Sequence, residues 1–328
     1  MSHAAAPAGL ELELERYRSE LTGYCYRMLG SGFEAEDAVQ ETFVRAWRAY
    51  DRFEGRAALR SWLHRIATNV CLSMLKGRQR RARPMDLEAV STVSSATLGT
   101  LPEGAWIEPM PDSRVVPDDG DPAEVAAARE TIRLAFLATL QKLPPKQRAV
   151  LILREVLHWH ADEVADLLET SVASVNSALQ RARATIAAAE PDENDVADPA
   201  DESQQELLAR YVDTFERYDV ESLVALLHED ATMCMPPYSL WLRGPEDVAA
   251  WHVGPGAPCC GSRLVPVRAN GCWAFGQYRP SGPNGEHEPW ALQVVEIRDG
   301  RIAGLNAFLD VERMFPLFGL PATPPPAG

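Results

Sequence analysis

Cysteine is scarce and irregularly placed: six residues (Cys25, Cys71, Cys234, Cys259, Cys260 and Cys272) in a chain of 328. That excludes the dense, evenly spaced framework of a small disulfide-stapled domain. A zinc site is disfavoured on similar grounds. Adjacent Cys259 and Cys260 cannot easily supply two tetrahedral ligands alongside distant Cys234, Cys272 and His252, so buried free thiols are expected, with no metal or cofactor. Long apolar runs are also missing, and nothing approaches the roughly 20 residues that span a bilayer. The opening MSHAAAPAGLELELER lacks the basic start and apolar stretch of a secretory signal. A cytoplasmic protein with no membrane partner is expected. The length and the 46% hydrophobic content suffice for two or three domains, each with an ordinary core.

Positive charge is in deficit overall, at a net −15, which argues at first sight against a polyanionic partner. The deficit is not uniform. Residues 15–83 hold 14 Lys and Arg against 8 acids, a net +6, whereas residues 84–120 hold 1 against 7, a net −6. Residues 201–328 hold 9 against 17, a net −8. A nucleic acid would be drawn to the first segment and repelled by the last.

Three stretches carry periodic apolar patterns, separated by two that do not. Residues 84–120 are rich in Pro, Ser, Gly and acid and read as a flexible linker. A shorter acidic spacer follows in EPDENDVADPAD, and the tail PATPPPAG reads as disordered or polyproline-like. The division expected is 12–84, an acidic linker 85–122, 123–189, a linker 190–203, 204–318, and a tail 319–328. In the first segment, Val39, Phe43, Ala46, Trp47 and Tyr50 form one helical face, opposite Asp37, Gln40, Glu41, Arg45 and Arg48. Leu59, Trp62, Leu63, Ile66, Val70 and Leu75 mark another helix, ending in a basic run from Lys76 to Arg83. The middle segment offers helices marked by Val125–Leu140 and Val150–Leu157, then a pair, Ala161–Leu168 and Val172–Ile186. Ser171 is placed to cap the second helix of that pair. Val172, Val175, Leu179, Ala182 and Ile186 fall on one stripe, while Ser174, Asn176, Ser177, Gln180, Arg181 and Arg183 face outward. Two short helices, a three-residue turn and a polar, basic second helix suit a helix-turn-helix, although a plain helical hairpin has the same pattern.

The run Asp37–Trp47 (DAVQETFVRAW) followed by Arg60–Asn69 (RSWLHRIATN) resembles the core-binding and promoter-melting domain of sigma-70-family factors. Leu143–Arg148 (LPPKQR) and Val172–Arg183 (VASVNSALQRAR) resemble the family's helix-turn-helix domain. With only these two domains, joined by a linker, the chain is similar to the extracytoplasmic-function class. The resemblance implies a non-enzymatic subunit that binds core RNA polymerase, recognises −35 and −10 promoter elements and promotes melting. It assigns Asp37, Gln40, Glu41 and Val44 to a coiled coil of the polymerase largest subunit. It assigns Phe53, Arg56, Arg60, Trp62, Arg65, Asn69, Lys76 and Arg78 to −10 DNA. Rings that stack displaced bases and cations that neutralise phosphates are what a melted strand needs. The outward residues 174, 176, 177, 180, 181 and 183 would meet the −35 duplex. Glu169 stands where the family usually has Gly, so this position is expected to avoid a left-handed backbone.

Residues 204–318 exceed a minimal factor of this kind. Helices through Leu207–Phe215 and Tyr218–Ala231, and one after Gly244, precede strand-like runs at Ser262–Asn270, Cys272–Tyr278, Trp290–Ile297 and Ile302–Leu309. Arg298-Asp299-Gly300-Arg301 reads as a tight hairpin. This order resembles the SnoaL-like branch of the NTF2-like superfamily: an α+β cone on a curved antiparallel sheet. The fold class expected is therefore two all-α domains followed by that cone. Trp251, His252, Trp273, Tyr278, Trp290, Asn306 and Asp310 are candidates to line a cone pocket for an unknown small molecule, and the acidic domain could act on the sigma domains in cis. An NTF2-like enzyme, or a ligand-responsive regulator with a DNA-binding module, is the alternative. An enzyme needs an acid–base pair that the sequence does not display, and a lone repressor leaves the Asp37–Trp47 helix unexplained.

Overall fold

The computed structural model describes residues 10–53, 58–93, 98–102, 104–116, 122–189 and 201–326. The chain divides into two compact units. The first comprises residues 1–81, 107–109 and 113–191, and the second comprises 82–106, 110–112 and 192–328.

The first unit is helical: α1 (Leu10–Glu15), α2 (Arg18–Leu29), α3 (Gly32–Ala49), α4 (Leu59–Met74), α5 (Asp112–Val115, from Ser113 onward), α6 (Pro122–Glu130), α7 (Leu134–Gln141), α8 (Pro145–Leu151), α9 (Ala161–Leu167) and α10 (Val172–Ala187). Its core collects Leu21, Tyr24, Met28, Val39, Leu63, Val70, Leu137, Leu140, Ile152, Val164 and Val175. Ser31 caps α3, its hydroxyl accepting from the Glu34 N–H at 3.2 Å. Trp47 departs from expectation. It is not on the buried face but 45% exposed, and Val172 is 42% exposed.

The two sigma-like segments pack on each other through the end of α2. A helix leaves its last four carbonyls without partners. Here Gln141 Nε2 donates to the Arg27 carbonyl at 3.4 Å, and Arg148 Nη1 donates to the Met28 carbonyl. Arg148 is buried and also donates to Gln141 Oε1 (2.5 Å), Gln141 O and Leu143 O (3.1 Å each). Gly30 ends α2 in the left-handed region, and a Cβ there would sit 3.1 Å from Gln141 Nε2. The glycine thus serves both the turn and the close approach.

The second unit carries α11 (Glu202–Glu216), α12 (Val220–Val224), β1 (Leu227–Cys234), β2 (Trp241–Arg243), α13 (Pro245–Val253), β3 (Arg263–Ala269), β4 (Cys272–Pro280), β5 (His287–Arg298), β6 (Arg301–Phe308) and α14 (Val311–Leu317). The sheet order is β2-β1-β6-β5-β4-β3. It is mixed rather than antiparallel throughout, because β1 pairs parallel to β6. The expected helix over Tyr218–Ala231 is only α12, after which the chain enters β1. Ala231, Met233 and Cys234 are buried there, against exposed Glu229 and Asp230. The 298–301 hairpin is present, with Asp299 and Gly300 at φ +52° and +67°.

The segment expected to be a flexible linker is instead ordered through most of its length. Within the second unit, Ser91 N–H donates to Trp241 O (3.0 Å) and the Trp241 indole to Glu88 O (2.9 Å). Leu101 N–H donates to Pro237 O and Ser239 N–H to Gly99 O. Met110 and Asn270 exchange bonds, and Asp112 Oδ1 accepts from Gly271 N–H at 2.8 Å, so the buried β3–β4 turn is clasped by this strap. Composition suggested a solvated spacer, but backbone donors and acceptors find partners along it.

Glu169 also corrects an expectation. It adopts φ +52°, and the chain ends α9 with Thr170 N–H on Ala165 O and Glu169 N–H on Asp166 O. This Schellman closure requires the left-handed residue. A non-glycine there costs about 1–2 kcal/mol, partly offset by glycine's greater unfolded-state freedom. Glu169→Gly is expected to stabilise the first unit by about 0.5–1 kcal/mol, read as a shift in urea midpoint at unchanged slope.

Candidate functional site

Helix α3 presents the first candidate surface. Asp37 and Gln40 are exposed and Glu41 and Val44 half-buried; Trp47 continues the stripe one turn on. Glu41 is held by Arg45 at 2.7 Å. Periodicity assigned Trp47 to the core because its spacing fits both faces; its exposure is the observation that sequence reasoning missed. An exposed indole beside an aliphatic and amide groups has the composition of a protein-binding hot spot.

The second surface lies around the start of α4. Phe53 stacks on Trp62 with centroids 4.8 Å apart, and Tyr50 lies 6.1 Å from Phe53. Both Phe53 and Trp62 are half-buried, so each keeps an open edge. Arg56 lies outside the described residues. The remaining cations are not equally free. Arg60 pairs with Glu20 (2.6 Å) and lies over the Trp159 ring (5.4 Å). Arg65 Nη2 donates to Asp166 O at 2.9 Å, and Arg78 pairs with Glu34. Asn69 and Lys76 are exposed. Arg60 and Arg65 are thus engaged by residues of the second sigma-like segment. Buried His64 joins the same seam, 5.0 Å from the Trp159 ring and 3.2 Å from Glu20. Burial pushes its pKa down and keeps the ring neutral.

The third surface is α10. Ser171 caps it, accepting from Ser174 N–H at 3.2 Å. Ser174, Asn176, Ser177, Gln180, Arg181 and Arg183 are all exposed, as the stripe predicts. Asn176, Gln180 and Arg183 share a shallow cavity of about 340 Å³ with Arg154 and Leu179. Arg183 is paired with Glu155 at 2.6 Å. An acid within a groove-facing patch must be displaced or must order the arginine before a phosphate can bind.

In the second unit the seven expected pocket residues do not converge. Trp251 is buried in the core that contains Tyr211, Phe215, Phe275 and Val295, and Trp273 packs against that core. His252 is buried, with Nδ1 2.8 Å from Val248 O. Tyr278 lies on the other side of the sheet, its ring 5.2 Å from Phe315 and its hydroxyl donating to Pro321 O. Trp290 is covered by Arg279, 3.6 Å from its centroid. Asn306 accepts from Cys234 Sγ at 3.1 Å, and Asp310 is exposed and 3.6 Å from Arg313. What the interior holds instead is a neutral chain: Tyr211 OH donates to Gln293 (2.6 Å), Gln293 to Gln277 (2.8 Å), and Gln277 to Ser262 (3.0 Å). All four residues are buried. Gln277 and Gln293 were invisible to sequence reasoning because glutamines on strands carry no signal of their own. Burial raises the Tyr211 hydroxyl well above its ordinary range, so the chain neither takes nor yields a proton near neutrality.

Among the described residues no group of three or more His, Cys, Asp or Glu could hold a metal. The six cysteines are free; Cys260 is exposed rather than buried, and burial raises the Cys259 thiol. No described helix is long and apolar enough to cross a membrane.

Two helical segments, each with its own outward polar face, ahead of an α+β domain define the architecture of a sigma-70-type transcription factor with an appended domain. Comparison with known proteins agrees. Residues 14–81 match sigma-70 region 2, residues 133–186 match sigma-70 region 4, and residues 208–305 match the SnoaL-like domain. The chain is 46% identical over 310 residues to the ECF RNA polymerase sigma factor SigG of Mycobacterium tuberculosis H37Rv, covering 94% of this chain and 82% of that protein. It is 29% identical over 171 residues to the ECF RNA polymerase sigma-E factor of Escherichia coli K12, covering 52% of this chain and 81% of that one. The crystal structure of the extracytoplasmic function sigma factor SigJ of M. tuberculosis has the same fold, with a TM-score of 0.59 at 23% identity, over 95% of this chain and 100% of that one. The chain belongs to the extracytoplasmic-function RNA polymerase sigma factors. It binds core RNA polymerase and recognises promoter DNA.

His252 gives the second unit a defined pH response. Its folded pKa is lowered by burial, whereas the unfolded chain takes the proton near pH 6.5. Its contribution is therefore complete above about pH 6.5 and is lost as pH falls toward the depressed folded value. Protection factors of β5 amides, corrected for intrinsic exchange, should fall between pH 7 and 5, and His252→Gln should reduce that fall.

Proposed function

We propose that Asp37, Gln40, Glu41, Val44 and Trp47 form the polymerase-docking face, and that Phe53 and Trp62, with Arg56, Arg60, Arg65, Asn69, Lys76 and Arg78, hold the opened −10 strand. Ser174, Asn176, Ser177, Gln180, Arg181 and Arg183 read the −35 duplex. Asn176 has the donor and acceptor to pair with an adenine edge, while Arg181 and Arg183 suit phosphates. The protein acts in the cytoplasm, where polymerase works, and the SnoaL-like domain contributes regulation rather than catalysis. Its Tyr211–Gln293–Gln277–Ser262 chain is neutral, and its buried Glu296 carboxylate lies against the Asn306 amide at 3.4 Å.

The observation that carries this reading is the engagement of Arg60 and Arg65 by Trp159 and Asp166. A compact body of about 160 residues has a radius of gyration near ~15 Å. Elements centred ~25 base pairs apart lie ~85 Å apart along a duplex. The packed first unit therefore represents a closed state. It must open, releasing the −10 cations, before both elements can be read. The SnoaL-like domain holds part of the connecting strap through Trp241, Pro237 and Asn270, and so restrains how far the connector can extend.

Run-off transcription with purified core polymerase tests the reading. Full-length protein should initiate on a cognate promoter. Trp47→Ala should weaken core binding by about 10- to 30-fold, a hot-spot-sized loss of ~2 kcal/mol, at unchanged thermal midpoint. Removing residues 202–328 should change promoter output severalfold; identical output would leave the appended domain without a regulatory role.

A further inference from the structure

The first unit contains a cavity of about 600 Å³ that shares Arg60 with the −10 surface and otherwise lies outside the surfaces above. Its walls come from α2 (Glu20, Gly23, Arg27), from the 115–116 valines, from Ala128 and Thr131 at the end of α6, and from Val156 and Leu157 after α8. Its size lies in the ordinary range of small-molecule sites, and its walls combine an apolar set (Val115, Val116, Ala127, Ala128, Val156 and Leu157) with polar side chains.

The polar residues of the cavity are unbalanced. Its two acids are already neutralised: Glu20 pairs with Arg60 and Glu155 with Arg183, each at 2.6 Å. Arg16 is exposed and has no described partner. Arg27 is only 4% exposed and yet faces no carboxylate. Its Nε and Nη2 donate to Thr131 Oγ1 (3.1 and 2.7 Å) and Nη2 to Ala128 O (3.3 Å), all neutral acceptors, while Nη1 donates to no described residue. A Cβ at position 23 would lie 2.8 Å from that Nη1, so Gly23 is what leaves this face of the guanidinium uncovered. Burying a cation without a counter-charge is costly, and the cost shows in a guanidinium pushed down to about 10. A carboxylate reaching Arg27 through the cavity would supply the missing charge with a charge-assisted hydrogen bond.

We propose that this cavity binds a small amphipathic monoanion, a carboxylate on an unbranched apolar body, with the carboxylate on Arg27 and the body against Val115, Val116, Val156 and Leu157. The walls belong to both sigma-like segments. A bound molecule is therefore held by α2 on one side and by α6 and the 156–157 turn on the other, and it favours the packed arrangement. If the packed unit is the closed state, as argued above, the anion is an inhibitor of initiation. That last step rests on the proposed function; binding itself does not.

Sodium decanoate is the probe, with decanol as the uncharged control of equal length, both added to the full chain below their aggregation limits. Isothermal titration should give saturable one-to-one binding of decanoate and at least tenfold weaker binding of decanol. Arg27→Gln should reduce decanoate affinity at least tenfold. Ala128→Leu, which fills the cavity and leaves every charge in place, should do the same while retaining the wild-type circular dichroism and promoter initiation. Equal binding of acid and alcohol, or undiminished binding in a folded Ala128→Leu protein, would overturn the assignment. In run-off transcription, decanoate should lower wild-type initiation severalfold and leave Ala128→Leu initiation unchanged. Binding without inhibition would overturn the inhibitory role alone. Absence of initiation under any condition would instead count against the function proposed above and would leave the binding result standing.

Discussion

The packed first unit depends on how the end of one helix is satisfied. The carbonyls of Arg27 and Met28 close α2, and the donors that meet them, Gln141 and Arg148, arrive from beyond the connecting segment. Arg148 is buried among carbonyls and an amide with no carboxylate in its bonds, a placement that lowers its own pKa to about 10. A cation at a helix C-terminus is favoured by the aligned peptide dipoles, and that attraction offsets part of the desolvation. Such an arrangement is specific, because few other side chains present several donors to carbonyls around one point. It is also exchangeable, because water or another donor could replace each bond if the segments parted as proposed.

The other contacts across that seam have the same character. His64 is neutral beside Trp159, Arg60 lies over the same indole, and Arg65 meets a backbone carbonyl. Three buried nitrogens of this seam, His64 Nε2, Arg148 Nε and Trp159 Nε1, have no hydrogen-bond partner among the described residues in the packed form, so the proposed opening would return them to water. By contrast, Tyr24 and Thr68, bonded at 2.7 Å inside the first segment, belong to a core that stays intact. The second unit shows the opposite economy: its buried glutamine–tyrosine chain is closed on itself and offers nothing to exchange.

How much of this was legible in the sequence varied with the kind of signal. Helices α3, α4 and α10 followed from 3.6-residue periodicity, and the Ser171 cap followed from residue type. The outward stripe from Ser174 to Arg183 was read correctly because a helix surface is a local property. Trp47 was misread because a bulky ring fits either a core or an interface by spacing alone. Strand β1 was read as helix because Leu223 to Leu227 continues an apolar run, and β1's parallel partner β6 lies some 70 residues on. The strap failed for a related reason: proline-, serine- and acid-rich composition predicts solvation, whereas the bonds that order it come from residues 237–241 and 270–271. The cavity at Arg27 left no trace, since an arginine's isolation is visible only once its neighbours are known.

The membership of the strap has a consequence for the order in which the molecule is made. Residues 82–106 leave the ribosome well before residues 237–241, with which several of them bond. At ~5–20 residues per second the interval is roughly 7 to 30 s. Both promoter-reading segments are complete once residue 189 is made, so for about the last third of it, roughly 2 to 10 s, they coexist while the connector still lacks its partners. The nascent chain therefore passes through a period in which its two DNA-facing segments are joined by an unrestrained tether, and that period ends only when the last domain folds.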